Sequence, residues 1–156
     1  MALVVSRALL IRHAHAGDPH RWSGDDAQRP LTDKGWLQAR GLVELLGEFV
    51  IDAVFSSPAT RCVETVTPLA LSRGQDVVGA VQLAEGADPD IASRWLAAAG
   101  DVACCSHGDV IQGVLAVLQR TGAAPDDIET RKAGTWILEV AAGQVSAARY
   151  LPPPTT

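Results

Sequence analysis

The sequence predicts an α/β fold: a three-layer α/β/α sandwich with a mostly parallel sheet, helices on both faces and a C-terminal hairpin or edge strand pair. Three observations lead there. Strand-like apolar runs alternate with segments of helical period, the pattern of parallel strands joined by crossover helices. The runs ending at Ser56 and Ser106 pass through a short turn into such a helical segment. The alternation then stops, and two β-rich stretches flank Ala142-Gly143, as in a hairpin.

Residues 3–11 are an apolar run and read as a buried strand, followed by a polar loop over residues 14–31. Thr32 can cap a helix whose Ala39, Leu42, Val43, Leu46 and Val50 recur at helical spacing, and that helix should end near Phe49. Residues 53–56 are a second short strand, Ser57-Pro58 turns the chain, and residues 59–72 read as helix up to Arg73-Gly74. Residues 77–83 make a weaker strand, residues 89–99 a helix that opens on a proline, residues 102–106 a buried strand and residues 110–120 a helix. Residues 135–141 and 145–151 form the terminal pair, and residues 152–156 read as a disordered, extended tail. A length of 156 residues fits one domain, assigned to residues 1–151, with one substantial core.

Composition narrows the function. With 47% hydrophobic and 20% charged residues the chain has the makeup of a globular protein and not of a disordered one. A net charge of -5 provides no broad basic surface, so neither nucleic acid nor an anionic membrane is an expected partner, and an anionic ligand must meet a local cluster of positive groups. The first sixteen residues imitate a secretory signal, but Arg7 and Arg12 interrupt the apolar stretch and no positive residue precedes it. Cys62, Cys104 and Cys105 are an odd count without a C-x-x-C pair, so a reducing cytoplasm is the expected location.

Ligands of a parallel α/β sheet sit beyond the carboxyl ends of its strands. Arg12-His13 follows the first strand, Ser56-Ser57-Pro58 the second with Arg61 one helical turn on, Glu85 the third, and His107-Gly108 the fourth. Two arginines, two histidines and a carboxylate at one rim make a phosphate site, because guanidinium forks match phosphoryl oxygens and helix N-termini present free N–H groups.

These residues carry a resemblance. Arg12-His13-Ala14 resembles the Arg-His-Gly signature of the histidine phosphatase superfamily, also called phosphoglycerate mutase-like, with Ala14 in place of glycine. The segment from Ser56-Ser57-Pro58 through Arg61 to Thr65 is similar to the family's second signature, and Ser106-His107-Gly108 to its second-histidine motif. Leu31-Thr32-Asp33-Lys34-Gly35 with Gln38-Ala39 resembles the family's first helix, so the likeness spans residues 9–114 and rests on the ordered set. Two subgroups compare best: SixA-like phosphohistidine phosphatases, and the histidine-phosphatase half of two-domain Nudix hydrolases that act on nucleotides. Arg61-Cys62-Val63-Glu64-Thr65-Val66, the segment around His107-Gly108-Asp109 and the Trp136-Ile137-Leu138 strand favour the second, although a Nudix box is missing.

The resemblance implies a metal-independent phosphohydrolase with no cofactor. His13 is the expected nucleophile, forming a phosphohistidine that water hydrolyses. Its other ring nitrogen should donate to a backbone carbonyl so that the attacking nitrogen keeps its lone pair. Arg12, Arg61 and His107 are expected to bind phosphoryl oxygens and Glu85 to donate a proton to the leaving group; His15, Ser57 and Asp109 are candidate substrate contacts. Each has a plainer reading as well. Glu85 fits a solvated loop, Asp109 a helix N-cap, His15 and His20 the loop surface, and Trp22 and Trp36 packing, although a tryptophan in the first loop could stack on a base. Cys104 and Cys105 read as inert strand residues.

Rival classes fail on specific grounds. His13-Ala14-His15 imitates an amidohydrolase metal pair, which needs an eight-stranded barrel of about 250 residues. A cysteine phosphatase places arginine six positions after its cysteine, where this chain has Pro68 and Ile111. A non-catalytic phosphate-binding module remains the alternative from another class. Among substrates, a nucleotide or other small phosphoanhydride or phosphomonoester ranks first, a phosphohistidine protein second and mutase chemistry third.

Overall fold

The computed structural model describes residues 4–156, so the expected start of the first strand at Leu3 lies outside the described residues. Ten principal elements follow one another: β1 (Val5–Arg12), α1 (Asp33–Leu45), β2 (Ala53–Ser56), α2 (Thr60–Ser72), β3 (Val77–Gly79), α3 (Pro89–Ala98), β4 (Val102–Ser106), α4 (Gly108–Arg120), β5 (Thr135–Ala141) and β6 (Gln144–Leu151). The strands form one sheet in the order β3-β2-β4-β1-β5-β6. β3, β2, β4 and β1 are parallel, whereas β5 and β6 add antiparallel on the far side of β1.

The continuous apolar run of β1 is explained by burial on both faces. Successive side chains of a strand point to opposite sides, so Ala8 and Leu10 join one core and Leu9 and Ile11 the other. The first core is closed by α3 and α4 through Leu96, Val110, Ile111, Val114 and Leu115, the second by α1 and α2 through Leu42, Cys62, Val66 and Leu69. β4 alternates likewise, sending Cys104 to one core and Cys105 to the other. The three layers are those the sequence predicts.

Local chemistry sets the ends of the elements. Thr32 caps α1, its Oγ1 accepting the Gly35 N–H at 3.1 Å. Gly35 is required there, because a Cβ would sit 2.0 Å from the His15 carbonyl oxygen. Asp88 caps α3 by accepting from the N–H groups of Asp90 and Ile91, with Pro89 in the first turn. The hairpin between β5 and β6 turns through Ala142 and Gly143, both at positive φ (53° and 74°), the backbone of a two-residue turn matched to strand twist.

The structure departs from the sequence reading in three places. Helix α1 stops at Leu45, short of Phe49, and leaves through a turn in which Gly47 N–H bonds to the Glu44 carbonyl. The strand expected over residues 77–83 keeps only Val77–Gly79; the Ala80 N–H donates to Ser56 O at 2.9 Å, and the chain then winds into a 3-10 turn that sinks Leu83 into the core. The loop after β1 contains two 3-10 turns, Pro19–Arg21 and Asp26–Gln28, each started by an aspartate side chain.

Candidate active site

The carboxyl ends of β1, β2 and β4 surround a cleft of about 360 Å³. His13, first residue beyond β1, is almost entirely buried at 6% exposure. Its N–H donates to Ser106 O at 3.0 Å, stitching the ends of β1 and β4 together. Its Nδ1 lies 2.9 Å from the carbonyl oxygen of Ala14. A carbonyl can only accept, so Nδ1 carries the proton and Nε2 keeps the lone pair. Burial pushes the His13 pKa down to about 3; the Ala14 bond opposes this, and the charges of Arg61 and Arg12 add to it. His13 is therefore neutral near pH 7.

Two guanidinium groups flank it. Arg61, in the first turn of α2, is 2% exposed, with Nη1 donating to Asp26 O at 2.8 Å and Nη2 within 3.2 Å of Glu85 Oε2 and 3.3 Å of Asp26 Oδ2. Arg12, at the end of β1, donates from Nη1 to the Thr130 carbonyl and lies against Gly108, where an added Cβ would come 3.2 Å from its Cζ. The glycine that opens α4 makes room for this arginine. Both arginines leave a buried Nε–H without an acceptor, and an oxyanion in the cleft is the kind of ligand that satisfies such donors.

His107 sits at the backbone N-cap of α4 with its ring centroid 5.6 Å from that of His13. Its Nδ1 lies 3.4 Å from Arg61 Nη2, a donor only, which puts the ring proton on Nε2, 2.8 Å from Ser57 Oγ. Ser57 thus orients His107 from behind. Cys62 Sγ approaches the same Nε2 at 3.5 Å; burial raises its thiol pKa, but hydrogen bonding with Cys105 and His107 and the charge of Arg61 outweigh this and lower it.

Arg12, His13, Arg61, Glu85, His107 and Asp109 all line this one cleft. Glu85 is exposed at the cleft, with a side chain 63% exposed. Asp109 is not the helix cap the sequence suggested: His107 holds that position, and the Asp109 carboxylate instead accepts the Gly86 N–H at 2.9 Å, tying α4 to the Glu85 loop. His15 does not line the cleft; its Nδ1 is 2.7 Å from Thr32 Oγ1, at the start of α1. Among the described residues no group of three His, Cys, Asp or Glu side chains is placed to hold a metal ion.

Three contributors escaped the sequence reading. Arg29, 7% exposed, donates to the carbonyl of Ala16 and from Nε to Asp26 Oδ1 at 2.9 Å, and it lines the cleft. Asp26 is held ionised below the usual carboxylate range, first by this Arg29 hydrogen bond and then by the charge of Arg61. Lys132, just before β5, also lines the cleft. The signals were faint: only the Asx turn at Asp25 hinted at order near Arg29, and nothing local marks Lys132.

The fold and the residues gathered at its strand ends are those of the histidine phosphatase superfamily, whose family model (branch 1) matches residues 8–88. The chain belongs to this superfamily. An 8-oxo-(d)GTP phosphatase from Mycolicibacterium smegmatis is 33% identical over 154 residues, covering 94% of this chain and 48% of that protein, so the chain spans about half the length of this curated relative. Among solved structures, SixA from Agrobacterium tumefaciens aligns with a TM-score of 0.70 at 21% identity, covering 95% of this chain and 98% of that one. A protein histidine phosphatase SixA complexed with tungstate aligns with a TM-score of 0.72 at 18% identity, covering 96% of each chain. These two likenesses concern the fold.

Proposed function

We propose that this protein is a phosphohydrolase that works without a metal through a phosphohistidine on His13, acting on a nucleotide or other small phosphoanhydride or phosphomonoester. The observation that carries the reading is the fixed tautomer of His13, a buried neutral imidazole with its Nε2 lone pair free between two guanidinium groups. Nε2 attacks phosphorus as the bond to the leaving group breaks, and water then attacks the phosphohistidine, releasing phosphate and regenerating the imidazole. Arg12 and Arg61 stabilise the charge redistributed over the phosphoryl oxygens, and His107, positioned by Ser57, completes that wall of the cleft. Glu85, exposed at the cleft mouth beside Arg61, is the proposed proton donor to the leaving group.

Two features support a nucleotide. One curated relative is an 8-oxo-(d)GTP phosphatase. A second cavity of about 260 Å³, lined by Arg21 and the 38% exposed Trp22, shares Gly17 and Arg29 with the cleft, and an indole there offers a face for a base. A phosphohistidine protein is the second reading, supported by the likeness to SixA.

A phosphate-release screen over nucleoside di- and triphosphates, phosphohistidine and p-nitrophenyl phosphate tests the proposal. Turnover of a nucleotide that survives EDTA and disappears in His13→Ala is the expected result. Binding without turnover of any of these would leave a phosphate-recognition module.

A further inference from the structure

Of the four cationic side chains that line the cleft, Arg29 and Arg61 already face carboxylates, and Arg12 and Lys132 have none within salt-bridge distance among the described residues. Arg12 belongs to the site around His13. Lys132 is the cation without an assignment, and its position is built. It lies one residue before Ala133, a buried non-glycine residue in the left-handed region (φ 64°). That conformation is held in place because the Ala133 N–H reaches the carbonyls of Arg12 at 3.1 Å and His13 at 3.3 Å. Gly134 closes the same turn on the Arg131 carbonyl, and a Cβ on Gly134 would collide with Tyr150 Oη at 2.2 Å. The nucleophile's own backbone therefore anchors the turn that carries Lys132.

Strand order separates this lysine from the other phosphate-binding groups. Arg61 and His107 follow β2 and β4 on one side of β1, whereas Lys132 precedes β5 on the other. A phosphoryl group held by Arg61 and His107 over His13 leaves Lys132 facing the rest of the substrate. The lysine is half-buried among positive charges; burial first, then Arg12, Arg29, Arg61 and Lys34, make its charged form less favourable than in water. A second anion in the cleft would reverse that imbalance.

We propose that Lys132 is the binding residue for a second phosphoryl group, adjacent to the one that His13 attacks, and that it fits the cleft to di- and polyphosphate substrates. This rests on the phosphohydrolase reading above for the site of the attacked phosphoryl. The test is calorimetric binding of two probes that cannot be hydrolysed, methylphosphonate and methylenediphosphonate, so turnover is not needed. The wild type should bind the diphosphonate at least about tenfold more tightly than the monophosphonate. Lys132→Met should reduce that preference to below about threefold, and Lys132→Arg, which keeps the charge, should retain most of it. An undiminished preference in Lys132→Met overturns the proposal, as does an equal loss on both probes, which would place Lys132 at the attacked phosphoryl. If the wild type binds neither probe, the phosphohydrolase reading fails with it; if it binds both equally, only the role of Lys132 fails.

Discussion

The two sides of the cleft are built differently. One set of groups, His13, Arg61 and His107, sits at the ends of β1 and β4 or in the first turn of α2, each 6% exposed or less and fixed by backbone or buried side-chain partners. The other is built from loops: Trp22, Arg29 and Lys132 come from the loop after β1 and the turn before β5, where Arg29 donates to the Ala16 carbonyl and the Ala133 N–H reaches the carbonyls of Arg12 and His13. Rigid elements hold the groups that would act on phosphorus, and loops hold those that would meet the remainder of the substrate. Mutations on the first side should therefore cost activity on every substrate, and mutations on the second should discriminate among substrates.

The largest effect belongs to His13. His13→Ala should lower kcat by at least about a thousandfold on all substrates with the fold intact by circular dichroism, since it removes the covalent route. Next comes Arg61→Ala or Arg12→Ala, which should cost about 2 to 4 kcal/mol in kcat/KM on nucleotide and aryl phosphate alike, as loss of one preorganised donor does. A loss confined to nucleotides would move that arginine across the divide. Trp22→Ala should raise KM for a nucleotide by about tenfold while changing that for p-nitrophenyl phosphate by less than about threefold, the size of one lost stacking contact. Equal effects on both would dissolve the distinction between the sides.

The same division explains what was legible in the sequence. β1 reads plainly because an unbroken apolar run buried on both faces is its own signature, and Arg12-His13, Ser56-Ser57-Pro58 with Arg61, and Ser106-His107 stand at element ends that local pattern locates. Strand β3 was overdrawn because its apolar residues continue past Gly79 into a turn that buries Leu83. Arg29 and Lys132 were illegible for another reason. Arg29 is held by the carbonyl of Ala16 and the carboxylate of Asp26, and Lys132 by a left-handed Ala133 whose N–H is held by the carbonyls of Arg12 and His13. No local propensity announces either. His15 misled by its closeness in sequence to His13; the strand ends there, and the next residues turn toward α1.

The smallest expected change is a titration that does not occur. With its pKa near 3, against an ordinary 6.5, the His13 imidazole should show unshifted ring ¹⁵N resonances, protonated at Nδ1, from about pH 7.5 to about pH 5. The sign for stability follows. Folding lowers this pKa, so between 6.5 and about 3 the unfolded chain takes up the proton more readily, and His13 makes the native state less stable as pH falls through that window. The acid-induced drop in Tm should accordingly be smaller in His13→Asn than in the wild type, and an equal drop would contradict the buried neutral imidazole.

Whether His13 carries the phosphoryl group is decided by rapid quenching in alkali during turnover, followed by proteolysis and mass spectrometry. The expected result is an added phosphoryl group on the peptide containing His13, stable in alkali, lost in acid and missing from His13→Asn. An unmodified His13 peptide during measurable burst-phase turnover, or a phosphoryl group on another residue that persists in His13→Asn, would contradict it.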